Sequence, residues 1–393
     1  MKQPKLRFPE FTGDWKQHKF EDVVTIGSGK DYKHLESGNV PVYGTGGYML
    51  SVNQALSESE DAVGIGRKGT IDKPYILRAP FWTVDTLFYC IPNEGFDLTF
   101  TNCLFQNVDW KKKDESTGVP SLSKVIINNV KTYVPSLEEQ QKIASLFTEL
   151  DTLIQSAEKE LEGYRELKQG MLQKMFPKKG EKVPEIRFPE FSGDWEQHKL
   201  GDTIPVVTDY VAAGSFADIA ANVDYKSEPD YAQLVRTVDL KHNFENNDSI
   251  YVDKKAFDYL YRVNLDEESI VLPNIGANIG EVYYIEPSEL PYKRNVLGPN
   301  AIYLKPCKNT KFIYSLFQTV DFQKKLMISI ASSGQPKFNK TELKEIMITL
   351  PNNDEQKKIG EYFFNLDNLI TIQQQELDGY KDLKKGLLQQ MFC

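Results

Sequence analysis

The chain contains few of the residues that build metal centres, disulfide frameworks or membrane spans. It has four cysteines and four histidines in 393 residues. The cysteines form no Cys-x-x-Cys pair and have no histidine nearby at metal-ligand spacing, so neither a zinc site nor a disulfide framework is expected. No run approaches the roughly 18 apolar residues of a membrane span, and the N-terminus does not lead into a signal-peptide core. These absences predict a cytoplasmic protein. The four cysteines are Cys90, Cys103, Cys307 and Cys393.

The chain also lacks an excess of positive charge, since its net charge is −9. A negative total argues against a nucleic-acid partner, but affinity depends on where the positive charge lies. Much of the acid falls in two helical segments, whereas basic residues cluster elsewhere. Each cluster taken alone is equally compatible with an ordinary solvated surface. The clusters are Arg67-Lys68, Lys111-Lys112-Lys113, Lys293-Arg294 and Lys324-Lys325.

Two segments of the sequence are repeated. Arg7–Trp15 returns as Arg187–Trp195, at an offset of 187 − 7 = 180. A longer repeat, Ser116–Phe176, returns as Ser332–Phe392, at an offset of 332 − 116 = 216. The two stretches between the repeated parts bear little resemblance to each other. A duplicated frame with divergent inserts can use one architecture to recognise two different things.

The longer repeat contains a helix with a coiled-coil seam. Its seam residues recur at steps of three and four, a period of 3.5 residues. Ser136 and Asn352 each stand three residues before a glutamate, the capping-box spacing that starts a helix. About 40 helical residues span roughly 60 Å, and because only a short linker joins the copies, we expect the two helices to pair antiparallel. The seams are Phe147, Leu150, Ile154, Ala157, Leu161, Tyr164, Lys168, Met171, Met175 and Phe363, Leu366, Ile370, Gln373, Leu377, Tyr380, Lys384, Leu387, Met391.

The divergent stretches are rich in Val, Ile, Tyr, Phe and Thr, with Gly, Asn and Asp every few residues, which predicts short strands and tight turns. We therefore predict an α+β fold, in which two mostly-β domains are separated by two long helices that form an antiparallel, pseudo-twofold coiled coil. The predicted parts are a first domain (1–133), a first helix (134–176), a linker (177–186), a second domain (187–349) and a second helix (350–393).

A glycine-rich element occurs in both divergent domains, as Val63–Ile71 and as Leu272–Gly280. Glycine lets the backbone approach a partner closely or adopt positive φ. Arginine and lysine suit phosphates and guanine edges, and asparagine suits adenine. An ordinary strand–turn–strand segment is an equal alternative for any one of these residues. The candidate DNA-binding residues are Gly66, Arg67, Lys68, Gly69, Thr70, Lys111, Lys112, Asn274, Gly276, Asn278, Gly280, Lys293 and Arg294.

Two other glycine-rich segments are interpreted as turns. Gly27–Asp31 lacks the spacing and the Ser or Thr of a phosphate loop. Tyr43–Tyr48 lacks the following helix that a dinucleotide site needs. No acid–base or metal constellation is evident, which disfavours a stand-alone enzyme.

As a set, these motifs resemble the DNA-specificity (S) subunit of type I restriction–modification systems. The resemblance covers nearly the whole chain. It rests on the two Phe-Pro-Glu-Phe-x-Gly-Asp-Trp segments, the Gly-Arg-Lys-Gly-Thr-Ile element, Ser-x-Gly-x-Pro before each helix, and Glu-Gln-x-Lys-Ile opening each helix. The helix ends Gly163–Phe176 and Gly379–Phe392 are similarly characteristic.

The resemblance implies that each divergent domain is a target-recognition domain that reads one half of a bipartite, asymmetric duplex DNA target. The helices would set the unread gap and dock two modification (methyltransferase) subunits and, through them, two restriction (translocase–nuclease) subunits. Catalysis, with S-adenosylmethionine, ATP and Mg²⁺, would belong to those partners, so this chain is expected to be non-catalytic and to bind no cofactor. The candidate partner-binding residues are Tyr164, Lys168, Met171, Met175, Tyr380, Lys384, Leu387 and Met391.

The two halves differ in length, and one alternative function stays open. Trp15 to Pro135 spans 120 positions, whereas Trp195 to Pro351 spans 156. Residues of the glycine element therefore transfer between the halves only approximately. The alternative function is a coiled-coil scaffold whose end domains bind proteins, which would not bind duplex DNA in a salt-sensitive manner.

Overall fold

The structure, a computed structural model, describes residues 3–114, 116–245, 248–276, 278–306, 308–330 and 337–393, without the side chains of 329 and 330. The second Ser-Ser-Gly segment (332–334) and Cys307 lie outside the described residues. The chain divides into two compact units. Unit 1 is Met1–Glu160 with Gln373–Cys393, and unit 2 is Leu161–Ile372. Within the described ranges, no helix is long and apolar enough to cross a membrane.

The described residues of 16–174 form nine short strands, three short helices, one 3-10 turn and one long helix. The strands are β1 (Lys16–Lys19), β2 (Val24–Ser28), β3 (Ser37–Gly44), β4 (Gly47–Val52), β5 (Ala62–Gly66), β6 (Tyr75–Leu77), β7 (Trp82–Thr83), β8 (Leu87–Pro92) and β9 (Lys131–Val134). The helices are α1 (Phe20–Val23), α2 (Leu98–Gln106), α3 (Lys124–Asn128) and α4 (Leu137–Lys174), and Trp110–Lys113 is a 3-10 turn.

Residues 196–390 repeat this order with more helical insertions. The strands are β10 (Glu196–Lys199), β11 (Val206–Asp209), β12 (Ala232–Val235), β13 (Ile250–Val252), β14 (Ser269–Pro273), β15 (Tyr283–Ile285), β16 (Asn295–Leu297), β17 (Ala301–Lys305) and β18 (Met347–Leu350). The helices are α5 (Leu200–Thr203), α6 (Phe216–Asn222), α7 (Thr237–Lys241), α8 (Lys254–Tyr259), α9 (Thr310–Phe317), α10 (Val320–Ile330), α11 (Lys340–Lys344) and α12 (Asn353–Gln390). The 3-10 turns are Tyr210–Ala213, Tyr261–Val263 and Pro287–Glu289.

The two units have the same sheet topology. Unit 1 contains an antiparallel sheet in the order β2-β8-β5-β6, a sheet in the order β4-β3-β7, and the pair β1-β9. Unit 2 contains β11-β17-β14-β15, β13-β12-β16 and β10-β18. In each three-stranded sheet, the middle strand pairs parallel with one edge strand, β3 with β7 in unit 1 and β12 with β16 in unit 2. The structure thus shows one fold in both divergent domains, and it confirms the predicted α+β architecture with two mostly-β bodies and two long helices.

Both long helices begin at the residue after the predicted cap. The Ser136 hydroxyl accepts from the Glu139 amide at 3.4 Å, and the Asn352 side chain accepts from the Glu355 amide at 3.0 Å. The carboxylates of these glutamates bind arginines of the repeated nine-residue segment instead of completing a capping box. Arg7 binds Glu139, and Arg187 binds Glu355. Both oxygens of Glu355 accept from Arg187, at 2.7 Å each.

Each unit packs one segment of each long helix, and the two segments run antiparallel. In unit 1, Asp151 pairs with Lys384, and Glu158, further along α4, pairs with Lys381, earlier on α12. In unit 2, Lys168 pairs with Asp367. Because 168 + 216 = 384 and 151 + 216 = 367, the two lysine–aspartate pairs are the same contact with the helices exchanged.

The core of each unit encloses the end of the helix that begins in the other unit. In unit 1, the Trp15 ring meets the Phe392 ring edge to face at 6.1 Å, and both side chains are buried. In unit 2, Trp195 meets Phe176 in the same way at 6.0 Å. Trp15, Phe392, Trp195 and Phe176 are therefore core residues that anchor helix ends.

Candidate functional site

Three loops meet at one edge of unit 1, which we call loop edge 1 and define as Gly44–Gly47, Arg67–Thr70 and Val84–Thr86. The amide of Arg67 donates to the carbonyl of Thr86 at 2.7 Å. The amide of Val84 donates to the carbonyl of Tyr43, next to the hairpin tip, at 3.0 Å. The short turn between β7 and β8 thus ties the glycine loop and the β3–β4 hairpin to the same edge.

The glycine loop has a fixed backbone. A Cβ on Gly66 would lie 2.0 Å from the carbonyl oxygen of Thr70, so a side chain is excluded there. Gly69 has φ of +87°, which favours glycine, and its amide donates to the carbonyl of Pro120 at 2.9 Å. The first Ser-x-Gly-x-Pro motif therefore has a structural role, because its proline carbonyl holds the glycine loop in place.

The Asp114 carboxylate holds that motif in turn. It accepts from the amides of Ser121 and Ser116 at 3.0 and 2.9 Å, and these bonds lower its pKa. An aspartate that is stabilised in its charged form by two backbone donors fixes a loop without a packed core.

Loop edge 1 presents two cations that are free of carboxylates. Arg67 and Lys68 are exposed, and no described residue places a carboxylate within ion-pair distance of them. Lys111 pairs with Asp72 at 2.7 Å and Lys112 with Asp109 at 2.8 Å, although both lysines stay largely exposed. Arg67 and Lys68 therefore need break no ion pair to bind a phosphate, whereas Lys111 and Lys112 must exchange one.

Unit 2 has an equivalent edge, loop edge 2, defined as Arg236, Asn274–Gly276 and Gly298–Asn300. The amide of Asn274 donates to the carbonyl of Asn300 at 3.1 Å, and that of Gly298 donates to Val235 at 2.8 Å. These are the Arg67–Thr86 and Val84–Tyr43 contacts of unit 1. The strand registers agree, since Gly64 faces Tyr89 as Val271 faces Tyr303.

This register defines how the two glycine elements correspond. Arg67 matches Asn274, and Gly69 matches Gly276, at 274 − 67 = 276 − 69 = 207. Gly276 has φ of +94°, close to that of Gly69. A comparison of the segments by their first residues, Val63 and Leu272, is two positions out of step. Loop edge 2 therefore has Asn274 and Ile275 where loop edge 1 has Arg67 and Lys68.

Three of the candidates in unit 2, Asn274, Asn278 and Gly280, make hydrogen bonds inside the unit. The Asn274 side-chain amide donates to the Phe338 carbonyl at 3.2 Å. The Asn278 side chain accepts from Lys241 at 2.8 Å. The Gly280 carbonyl accepts from Gln323 of α10 at 2.9 Å. These bonds fix the orientation of both asparagine side chains, although each carboxamide keeps a second donor and acceptor position.

Lys293 and Arg294 do not lie at loop edge 2. They precede β16, whereas the edge begins after its last residue, Leu297. Arg294 stacks over the Tyr231 ring at 4.3 Å, before the start of β12. The structure thus separates this basic pair from the other candidates of unit 2 by the length of a strand.

Sequence reasoning missed several exposed apolar side chains at these edges. Tyr48 and Met49 follow the tip of the β3–β4 hairpin and are 63% and 49% exposed. The segment Tyr43–Tyr48 forms the predicted turn, but the signal for a contact surface was the aromatic residue directly after its glycines. In unit 2, Phe216 is 83% exposed at the first position of α6.

Two of the helix residues predicted to bind partners, Lys168 and Lys384, form ion pairs inside the chain. The Lys168 ammonium donates to Gln318, the residue after α9, at 2.6 Å as well as to Asp367, so it links both long helices to the rest of unit 2. Burial raises the pKa of the Asp367 carboxyl and outweighs the attraction of Lys168. Lys384 holds the equivalent place with Asp151 in unit 1.

The remaining helix candidates are covered to different degrees. Met175 and Met391 are buried in the cores of units 2 and 1, so this chain already covers the surface that a partner would need. Met171 and Leu387 pack against the same cores and are half-buried. Tyr164 and Tyr380 keep part of their surface, and the Tyr380 hydroxyl donates to Glu376 at 2.7 Å.

The sequence matches a known family over both halves. The model of the type I restriction modification DNA specificity domain matches residues 12–163 and 193–379. The chain belongs to this family. The two matched ranges correspond to the two repeats of β body and long helix.

Two relatives within the specificity family come from Methanocaldococcus jannaschii. The chain is 29% identical to the type I restriction enzyme MjaVIII specificity subunit over 71% of this chain and 65% of that protein. It is 26% identical to the putative type I restriction enzyme MjaX specificity subunit over 68% of this chain and 60% of that protein. The matches therefore span less than two thirds of these relatives' own lengths.

A solved structure of the specificity family has the same fold. It is the crystal structure of a type I restriction–modification system S subunit from M. genitalium, with a TM-score of 0.68 at 15% identity. The superposition covers 100% of this chain and 99% of that one.

The two long helices, α4 and α12, also expose leucines at repeated positions. Leu153 and Leu383 lie near the Asp151–Lys384 pair of unit 1, and Leu167 and Leu369 lie near the Lys168–Asp367 pair of unit 2. All four are between 41% and 50% exposed. They obey the repeat, because 153 + 216 = 369 and 167 + 216 = 383, and the 3.5-residue seam omits them.

Proposed function

We propose that this chain is the non-catalytic specificity subunit of a type I restriction–modification complex. In this proposal each β body reads one half of a bipartite, asymmetric duplex target through its loop edge. The long helices fix the gap between the halves and dock two modification subunits, which in turn carry two restriction subunits. S-adenosylmethionine, ATP and Mg²⁺ act in those partners.

The observation that supports sequence reading is the contrast between one frame and two unlike edges. Backbone contacts and strand registers agree between the units, yet Arg67-Lys68 is replaced by Asn274-Ile275 at the same positions. The hairpin tip also differs, because the two residues between β3 and β4 are replaced by residues 236–249 between β12 and β13. A conserved frame with divergent tips would let each unit select a different sequence.

Loop edge 1 suits a nucleic acid on electrostatic grounds despite the net charge of −9. Its unpaired cations can neutralise phosphates or bind a guanine edge bidentately, since arginine offers a planar fork of donors. The exposed Tyr48 and Val119 give the same edge apolar surface. Loop edge 2 has fewer free cations, because Arg236 is held by Asp239 and Asp248.

The repeated leucines support docking of two equivalent partners. Each unit exposes one leucine from each helix at the same level of the helix pair, and exposed apolar side chains that follow a repeat indicate a repeated contact surface. Two equivalent leucine pairs would bind two copies of one partner.

The test of the proposed function is methylation mapping of the host genome. A strain that carries the gene with its partner genes should methylate a bipartite motif, and deletion of this gene alone should abolish that motif. An unchanged pattern after deletion would refute the proposal. A chain that binds partners but shows no salt-sensitive binding to duplex DNA would support the scaffold instead.

The docking surface is tested by charge substitution. Leu153→Asp with Leu383→Asp should remove one modification subunit from the complex, and Leu167→Asp with Leu369→Asp should remove the other. Native mass spectrometry counts the subunits. The matched control is Val125→Asp, which changes a side chain that is 67% exposed but lies outside the long helices. Loss of both subunits from either pair of substitutions would contradict two independent sites.

A further inference from the structure

Unit 2 contains a pocket of about 590 Å³ that opens at loop edge 2. Its wall includes Asn274 and Ile275, which match Arg67 and Lys68, and Pro299 and Asn300, which match the β7–β8 turn of unit 1. The volume falls in the range of about 300–1,000 Å³ that is typical of small-molecule sites. The rest of the wall comes from residues 209–225 and from Ala301.

The pocket exists because unit 2 lacks a backbone contact that closes this place in unit 1. There, the amide of Gly29 donates to Leu87 at 3.1 Å, and a Cβ on Gly29 would lie 1.9 Å from the Val84 carbonyl oxygen. Ser28 faces Phe88 as Asp209 faces Ile302, so the residue that matches Gly29 is Tyr210. A tyrosine cannot follow the path of Gly29, and the chain turns away into the insertion that forms the wall.

The mouth of the pocket is apolar and exposed. Phe216 is 83% exposed, Tyr225 49%, Val211 47% and Ile275 37%. Four such side chains around one opening form a contiguous apolar patch of the kind that marks a binding surface.

The backbone segment that carries Phe216 is anchored, although the side chain is exposed. The Ser215 hydroxyl caps α6 by accepting from the Asp218 amide at 3.2 Å, and the Asp218 carboxylate accepts from the Ser215 amide at 3.1 Å. Upstream, the carbonyl of Ala212 accepts from Arg262 at 3.1 Å. An aromatic ring on an anchored segment loses little freedom when it binds a partner.

The polar groups in the wall are directional and mostly satisfied. The Tyr210 and Tyr225 hydroxyls lie 3.0 Å apart. Asp209 accepts from Lys340 at 2.9 Å and from the Ala212 amide at 3.0 Å. A phosphate would find no unpaired cation in this wall, whereas a flat heteroaromatic ring would find an apolar slot with hydroxyl and carboxylate oxygens that can accept from an amino group.

We propose that this pocket receives one unstacked base of the half-site read by unit 2, with Phe216 as the ring that replaces its neighbour in the stack. The inference rests on the proposed function, since it needs duplex DNA at loop edge 2. Apolar side chains that enter a base step unstack it at a cost of a few kcal/mol, and base–aromatic stacking offsets that cost. The second domain would then select its half-site partly by how easily one step opens, whereas the Gly29 contact closes the equivalent place in unit 1.

The test uses the full chain assembled with its modification subunits, on duplexes that carry the target found by methylation mapping. 2-Aminopurine, which brightens when it unstacks, replaces each base of the unit 2 half in turn. The adenine that becomes methylated stays natural, because methyltransferases extrude their target base themselves. We expect a several-fold rise in fluorescence at one position of this half.

Two variants and a control identify the pocket as the cause. Phe216→Ala should abolish the rise and weaken binding by about 5- to 150-fold, the range that stacking of one base provides. Ala220→Trp, at an exposed position of the wall, should fill the pocket and also abolish the rise. Ile328→Ala, which changes a side chain that is 75% exposed on α10, should leave both signals unchanged.

The outcomes separate the inference from the proposed function. Tight, sequence-specific binding with no bright position would overturn the pocket assignment and leave the specificity function standing. A bright position that persists in both pocket variants would overturn it as well. A complex that neither binds nor methylates a bipartite target would refute the proposed function, and the inference with it.

Discussion

Replacement of Arg187 by alanine should destabilise unit 2 far more than replacement of an exposed lysine beside it. The Arg187 guanidinium donates to both oxygens of Glu355 at 2.7 Å, and the Glu355 side chain is 0% exposed. Arg187→Ala leaves that carboxylate buried without its cation. Removal of one partner from a buried pair costs about 3–5 kcal/mol.

The matched control lies on the same helix and contacts the same repeated segment. Lys358 pairs with Glu190, but each side chain is about 45% exposed. Exposed pairs contribute about 0–1 kcal/mol, so Lys358→Ala should change little. Arg7→Ala should fall between the two, because Glu139 keeps the Trp15 indole N–H at 3.3 Å as a second donor.

Hydrogen exchange followed by mass spectrometry can measure this unit by unit. A loss of 3–5 kcal/mol corresponds to exchange that is faster by roughly two to three and a half orders of magnitude, at 1.4 kcal/mol per tenfold. The acceleration should appear in peptides that cover Trp195 and the start of α12. If Arg187→Ala accelerates exchange no more than Lys358→Ala does, the buried pair does not hold the repeated segment to the helix.

Three further outcomes follow from the contacts described above. Arg67→Ala with Lys68→Ala should weaken binding through the first half-site only and lower the salt slope by about 0.9 per lost phosphate contact; equal relaxation at both halves would contradict the division of labour. Four residues inserted after Leu161, with four at the matched place after Leu377, should add about 6 Å and lengthen the unread gap by about 2 base pairs; an active variant with the original gap would refute the ruler. A chain whose ends are joined and reopened within 177–182 should fold and keep its methylation motif, and loss of folding would count against it.

The permutation is expected to succeed because both ends of the frame make the same contact. The amide of Leu6 donates to the carbonyl of Gln390 at 2.9 Å, and the amide of Ile186 donates to Lys174 at 2.9 Å. These bonds match through the offsets of 180 and 216. The chain therefore meets its own C-terminal helix at Leu6 as it meets α4 at Ile186.

The long helices and the repeated segments could be predicted from the sequence because their residues recur at a regular period or in two copies. The 3.5-residue seam fixed the helices to within one turn, and the cap at Ser136 fixed the start of α4. The seam did not reveal which residues face another part of the same chain. Met175 and Met391 end a regular seam, so they resembled partner contacts, but each fills the core of a unit.

The candidate site was harder to predict because loop contacts have no period. Arg67 is exposed at loop edge 1, whereas Lys293 and Arg294 precede β16 and lie away from loop edge 2; whether these residues bind DNA stays a prediction. The correspondence of Asn274 with Arg67 follows from the shared strand register, which cannot be read from two dissimilar sequences. Phe216 gave no signal at all, since one phenylalanine after a serine looks like any helix start.

The Arg7–Glu139 and Arg187–Glu355 ion pairs attach both β bodies to the long helices in the same way, which makes the bodies exchangeable. The repeated nine-residue segment precedes each body and a long helix follows it, so a foreign body with the same borders would make the same contacts. If each body reads one half-site, as proposed, exchange of a body would change the sequence preference and leave the supporting frame unchanged.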